Sequence, residues 1–147
     1  MARALPEDGQ LVTLESESKY AEVASLNLAR AGLSKKVNII VGAALDTLPK
    51  VVDHGEPTFD LVFLDADKVN YSNYFPHIMR GVRSGALILA DNIIRKGTVL
   101  APRHDDPSAG AARAFNAMIA ADQRLEAVIL QQVGMKGHDG LALARVK

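Results

Sequence analysis

The 147-residue sequence contains no cysteine and no tryptophan. The first absence excludes a disulfide scaffold, a thiolate zinc site and a cysteine nucleophile. Aromatic residues make up only 5% of the chain, too few for a base-stacking surface. Neither sign of charge dominates, since 17 Lys and Arg balance 17 Asp and Glu. The electrostatic footprint of a general nucleic-acid binder is therefore missing. No apolar run approaches the ~18 residues that cross a bilayer. The first residues, Met1 to Gly9, lack the apolar region of a signal peptide. The expected compartment is the cytoplasm, with no membrane and no nucleic-acid partner. What the chain does have is 48% apolar residues, enough to bury a core in a single domain over 1–147.

Short apolar runs recur at Leu11–Leu14, Val37–Val41, Phe59–Leu64 and Ala86–Ala90. Their centres lie about 25 residues apart, the length of one βα unit. Near-continuous runs of this kind suit strands buried on both faces. The intervening stretches carry helical periodicity. Tyr20, Val23, Ala24, Leu28 and Ala31 share one face, with Ser16 or Ser18 as cap and Gly32 as the left-handed end. A shorter helix is expected from about Ala44 to Val52, despite Pro49. Tyr71, Tyr74, Phe75, Ile78, Met79 and Val82 form a clearer stripe, in which Pro76 fits only near the first turn. Residues 95–109 read as a long loop. A helix follows, capped by Ser108 and running through Asp122, with Ala114, Phe115, Met118 and Ile119 inward. Two strands close the chain, Leu125–Leu130 and Leu141–Val146. The Gly134–Gly140 linker between them is too short for a helix, so they should pair antiparallel. The fold class is α/β, a mostly parallel sheet ending in an antiparallel hairpin.

In such sheets ligands bind at the carboxyl ends of the strands. The first strand ends in Glu15, an acidic residue of the kind that accepts ribose hydroxyls. Its plainer role is a carboxylate at a helix start. The glycine-rich turn that should precede such an acidic residue by about 20 positions is absent. Gly134, Gly137 and Gly140 have the wrong spacing and read as turn residues. The third run ends in Leu64-Asp65-Ala66-Asp67-Lys68 and the fourth in Ala90-Asp91-Asn92. A right-handed crossover makes those ends neighbours. Asp65, Asp91 and Asn92 would then aim oxygens at one spot. Oxygen donors without His or Cys suit a hard cation such as Mg²⁺, Mn²⁺ or Ca²⁺. Lys68 beside that spot is a candidate general base, or a partner of Asp65 or Asp67 in a surface ion pair. Tyr71 and Tyr74 read as core. Arg95 either faces the cleft or lies solvated in the loop. His54, His77, His104 and His138 share no ligand spacing.

These residues resemble the cation-dependent O-methyltransferases, the family of caffeoyl-CoA and catechol O-methyltransferases, nearest its bacterial branch. The resemblance is carried by Leu14-Glu15, Gly42-Ala43-Ala44-Leu45, Phe63 through Tyr71, Leu89-Ala90-Asp91-Asn92 and the closing Asp139 through Ala144. It implies a Rossmann-like methyltransferase sheet. Glu15 would bind the ribose of S-adenosylmethionine, Ala44 would lie against adenine, and Asp65 and Asp67 would contact the cofactor. Asp65, Asp91 and Asn92 would hold the divalent cation, with Mg²⁺ expected first, and Lys68 would be the base. The expected reaction moves a methyl group to a hydroxyl of a small catechol-like or phenolic acceptor with vicinal hydroxyls. The expected assembly is a homodimer.

Two local departures concern the cofactor and acceptor sides. Ala43 stands where the family often has Asp or Ser, and Arg95 stands near the position of an aromatic residue in plant members. Relative to the family, the first strand and the glycine loop are also missing. That strand would lie between the one ending at Glu15 and the one ending at Leu64. Its absence would expose two strand edges or force them together, at about 1–3 kcal/mol per unpaired buried group. The alternative to an active enzyme is accordingly a truncated remnant that keeps the cation cluster but not cofactor binding. A nucleotide-dependent dehydrogenase is the third reading, which the Asp65/Asp91/Asn92 cluster disfavours.

Overall fold

The computed structural model describes residues 1–53, 59–135 and 137–147. The chain divides into two compact units, Met1–Val51 and Val52–Lys147.

In the first unit, β1 (Leu11–Glu15) runs parallel to β2 (Val37–Val41), in register from Leu11↔Val37 to Glu15↔Val41. They are joined through α1 (Ser18–Arg30). As expected, α1 stops at a left-handed Gly32 (φ 71°), whose N–H donates to the Ala29 carbonyl. Neither serine caps the other end; the N-cap position is Glu17, and its N–H donates to Glu15 Oε1 at 2.9 Å. The anticipated apolar face is open, with Tyr20 62% and Val23 50% exposed; Ala21 is the buried residue of this helix. Periodicity identifies a face but not what covers it. α2 (Ala44–Asp53) carries Pro49 in its interior.

The second unit is built on a four-stranded sheet in the order β3 (Phe59–Leu64), β4 (Val82–Ala90), β6 (Gly137–Val146), β5 (Leu125–Gly134). β3 and β4 are parallel; β6 pairs antiparallel with both β4 and β5. β4 starts four residues before the apolar run. Its ladder with β3 shifts between Phe59↔Val82 and Leu61↔Leu87, and Gly85 within that shift has φ 84°, a conformation glycine tolerates. Only alternate β4 residues, Ala86, Ile88 and Ala90, are buried, and Leu61 and Phe63 of β3 stay partly exposed. The expectation of strands buried on both faces therefore fails here: alternate residues of β4 are buried on one face while the other face stays more open.

The final hairpin is longer than the sequence pattern suggests. Gly134 pairs with Gly137 and Gly140 with Gln131, so the three glycines are strand residues, not a linker. A Cβ at Gly140 would overlap the Ile94 side chain, which explains a glycine inside a strand.

α3 (Tyr71–Gly81) and α4 (Pro107–Ala121) supply the helical core. Tyr71, Tyr74, Phe75 and Ile78 are buried, and Phe115 meets Tyr71 edge-on at 5.2 Å and Phe75 at 6.1 Å. This packing holds α3 together although Pro76 lies past its first turn, against expectation. α4 is capped by Asp106, whose Oδ1 accepts from Ala109 N at 2.9 Å, rather than by Ser108. Its buried face is Ala109, Ala112, Phe115 and Ile119; Ala114 points outward. The Arg95–Leu100 part of the expected loop is a 3₁₀ segment. Among the described residues no helix is long and apolar enough to cross a membrane.

Candidate functional site

The chemistry-bearing residues fall into two groups, one in each unit. In the first unit β1 and β2 end side by side. The backbone carbonyl of Glu15 accepts from Gly42 N at 2.9 Å, which sets the Glu15 side chain beside the turn that leads to Ala44. Gly42 has φ 144°, and a Cβ there would meet Thr47 at 2.9 Å, so the turn needs glycine. Glu15 and Ala44 are thus brought to the same strand ends. The carboxylate of Glu15 also accepts from the N–H of Glu17, the N-cap residue of α1, close to its plainer role.

The second group sits where β3 and β4 end. Leu64 is in register with Ala90, and Asp91 N donates to the Leu64 carbonyl at 3.0 Å. The next residue on β3 is Asp65, so the crossover makes Asp65 and Asp91 neighbours as the strand-end rule requires. Asn92 follows with φ 55°, a left-handed conformation that Asn adopts more readily than most residues. Asp91 Oδ1 accepts from Asn92 N at 2.7 Å and Asp65 Oδ1 from Lys68 Nζ at 3.3 Å. Among the described residues, the hydrogen bonds to these two carboxylates engage only Oδ1 of each. Also among those residues, no three His, Cys, Asp or Glu side chains converge as a metal-holding group. The candidate donor set is two carboxylates and one amide oxygen, which suits a hard divalent cation.

Lys68 is not the exposed surface residue that an ordinary ion pair would need. Its side chain is 8% exposed, and Nζ donates to the Tyr71 hydroxyl at 2.5 Å as well as to Asp65, 4.6 Å above the Tyr71 ring. Tyr71 in turn donates to the Leu64 carbonyl at 2.9 Å. Burial pushes the Tyr71 pKa up, and the negative charges of Asp65, Asp91 and Asp67 raise it further. The hydroxyl thus stays protonated. Asp67 is exposed but engaged: its carboxylate accepts from Tyr74 at 2.6 Å and from Asn70 at 2.5 Å.

Tyr71 is the site residue that the sequence pattern assigned only to the core. Its apolar stripe accounts for the ring, while its spacing of three from Lys68 was the available sign of the hydroxyl's role. Arg95 does not extend freely; its Nη2 is 3.8 Å from Asp106. His77 contacts Arg80 and His138 contacts Gln131. His54 lies outside the described residues.

The O-methyltransferase family model matches residues 1–147. A catechol O-methyltransferase of Niastella koreensis is 50% identical over 147 residues, covering 100% of this chain and 66% of the relative. The crystal structure of an O-methyltransferase from Streptomyces achromogenes, in complex with SAM, superposes with a TM-score of 0.94 at 42% identity. One from Bacillus cereus, in complex with SAH, gives 0.94 at 40%. Both superpositions cover 99% of this chain and 66% of the other. The chain thus spans a little under two thirds of the length of these proteins, and over all of its own length it belongs to the O-methyltransferase family.

Proposed function

We propose that residues 1–147 are part of a single methyltransferase domain that moves a methyl group from S-adenosylmethionine to a hydroxyl of a small catechol-like acceptor, assisted by a divalent cation. The observation that carries this reading is the placement of Asp65, Asp91, Asn92 and the buried Lys68 at adjacent parallel strand ends. The relatives bound to SAM and SAH support the choice of cofactor.

In this reading Glu15 accepts the ribose hydroxyls and Ala44 lies against the adenine, both from the ends of β1 and β2. Asp65 and Asp67 contact the methionine side. Asp65, Asp91 and Asn92 hold the cation, Mg²⁺ by preference and Mn²⁺ or Ca²⁺ as alternatives. When bound, the cation lowers the acceptor hydroxyl pKa and fixes its oxygen. In its neutral amine form Lys68 Nζ would accept the hydroxyl proton as the acceptor oxygen bonds to the methyl carbon and the carbon–sulfur bond breaks. Tyr71 holds Lys68 toward Asp65 so that little reorganisation is needed at that moment.

The test is methyl transfer to a catechol by the whole protein, with and without chelator, beside Asp91→Ala. Turnover that stops with chelator and returns with Mg²⁺, and an Asp91→Ala variant losing at least ~10²-fold in kcat/KM, are expected. Chelator-insensitive transfer would remove the cation from the mechanism.

A further inference from the structure

Asp139 lies on β6, remote in sequence from the candidate cluster, yet its carboxylate reaches the segment that carries Asn92. One oxygen, Oδ1, accepts from Ile94 N at 3.2 Å, Arg95 N at 2.9 Å and Gly140 N at 2.8 Å. The Asn92 side chain lies close enough to this carboxylate to help lower its pKa. Burial alone would raise the pKa of this half-buried group, but the Arg95, Gly140 and Ile94 N–H groups outweigh it and hold the carboxyl below its usual range.

The segment so gripped has an unusual backbone. Asn92, Arg95 and Lys96 have φ of 55°, 52° and 56°. None is glycine, and Arg and Lys gain nothing from the left-handed region. Such a backbone persists only where its surroundings over-determine it. Thr98 Oγ1 donates to the Arg95 carbonyl at 2.8 Å and Arg95 Nη2 lies 3.8 Å from Asp106; two further anchors are Asn116 Nδ2 of α4, which donates to the Ile93 carbonyl at 2.8 Å, and Ile93 N, which donates to the Gly140 carbonyl at 3.2 Å. Both grip Ile93. Of the left-handed residues, Arg95 donates its N–H to Asp139, as does Ile94 before it, and the Asn92 side chain lies beside the same carboxylate.

We propose that Asp139 is a positioning residue: it locks the left-handed 92–96 segment and the Asn92 amide, and thereby tunes how tightly Asp65, Asp91 and Asn92 hold a divalent cation. The inference rests on the cation reading above. Groups that orient a metal ligand from behind commonly contribute 10–100-fold in affinity, of order, when removed. Because Ile93 remains anchored and Ile94 still packs on Gly140, removal of the carboxylate should loosen the segment without unfolding the unit.

The experiment titrates Mn²⁺ alone into the whole protein and follows free Mn²⁺ by electron paramagnetic resonance, with melts in chelator as a separate measure of folding. Asp139→Ala should bind Mn²⁺ about 10–100-fold more weakly. Asp139→Asn keeps an acceptor oxygen and should fall between Asp139→Ala and wild type. Asp105→Ala, which removes an exposed carboxylate paired with Arg103, should bind as wild type does. If Asp139→Ala lowers the melting temperature but keeps wild-type Mn²⁺ affinity, Asp139 is structural only and the proposal falls. If Asp139→Ala does not fold, Asp139→Asn decides, and unchanged affinity there has the same meaning. A wild-type protein that does not bind Mn²⁺ overturns the cation reading itself, a result distinct from the other two.

Discussion

Lys68 is the only charged side chain among the described residues that is buried. An ammonium out of water is costly unless its N–H groups are bonded. Here the Tyr71 hydroxyl, the Tyr71 ring and Asp65 provide that compensation. A surface lysine would need none of this; the Asp65 ion pair that the sequence offered as the other role is present, but Lys68 makes it from a buried position. Lys68→Met keeps most of the volume and leaves the Tyr71 bond to the Leu64 carbonyl in place. In the whole protein it should lower kcat by about 10²–10⁴ while leaving Mn²⁺ and S-adenosylmethionine affinity nearly unchanged. Steady-state kinetics with a catechol and calorimetric titrations check the two halves; wild-type kcat would return Lys68 to a structural role. The strand-end placement of Asp65, Asp91 and Asn92 was legible in the sequence because the apolar runs mark where the strands end. Tyr71 and Asp139 were not. The ring of one is fully explained by core packing, and the other comes from a strand whose neighbours only the sheet order reveals.

At the level of elements, α4 shows how caps and burial divide the work. Asp106 satisfies Ala109 N at its start, and Asp106→Ala should destabilise the protein by about 1 kcal/mol, read by chemical denaturation. At its other end Asp122 takes a two-pronged bond from Arg124, at 2.9 and 2.6 Å, and a backbone bond from Arg124 N at 2.9 Å. The Arg124 side chain holds the Asp122 carboxyl down to about 2, with the backbone bond adding to it and burial opposing it. A carboxyl whose folded pKa is depressed stabilises the fold above its unfolded pKa near ~3.9, and that contribution is lost as pH falls toward 2. Asp122→Asn should therefore melt below wild type at pH 5 and 6, with the gap closing between about pH 4 and 2. A gap independent of pH would show that the carboxylate charge is not the source. In α3 the same competition is won by packing, since four buried side chains offset the hydrogen bond that Pro76 cannot make.

Across the whole chain the apolar core is unevenly shared. Of the buried apolar side chains among the described residues, Ala21 alone lies in the first unit. That unit holds a two-stranded parallel sheet, which carries little stability without further strands or a covered face. In the 147-residue chain, amides of β1 and β2 should exchange with solvent at least ~10-fold faster than those of β4 and β6 once intrinsic rates are removed. Hydrogen-exchange mass spectrometry measures this, and equal protection would mean that the first unit opens only with the second. β1 and β3 each pair on one side among the described residues. Each strand is the edge of a separate sheet.

The sequence by itself determined the α/β class, the βα period, the antiparallel final hairpin and the strand-end positions of Glu15, Asp65 and Asp91. These follow from local periodicity and from the rule that ligands gather where strands end, which need no knowledge of distant contacts. Tertiary structure alone decided that Lys68 is buried against a tyrosine, that Gly134, Gly137 and Gly140 are strand residues, and that α1 leaves Tyr20 and Val23 open. It also brought Asp139 to the loop bearing Asn92. Each of these depends on which surfaces meet across the chain, and a side chain's periodic position says which way it faces but not what stands opposite.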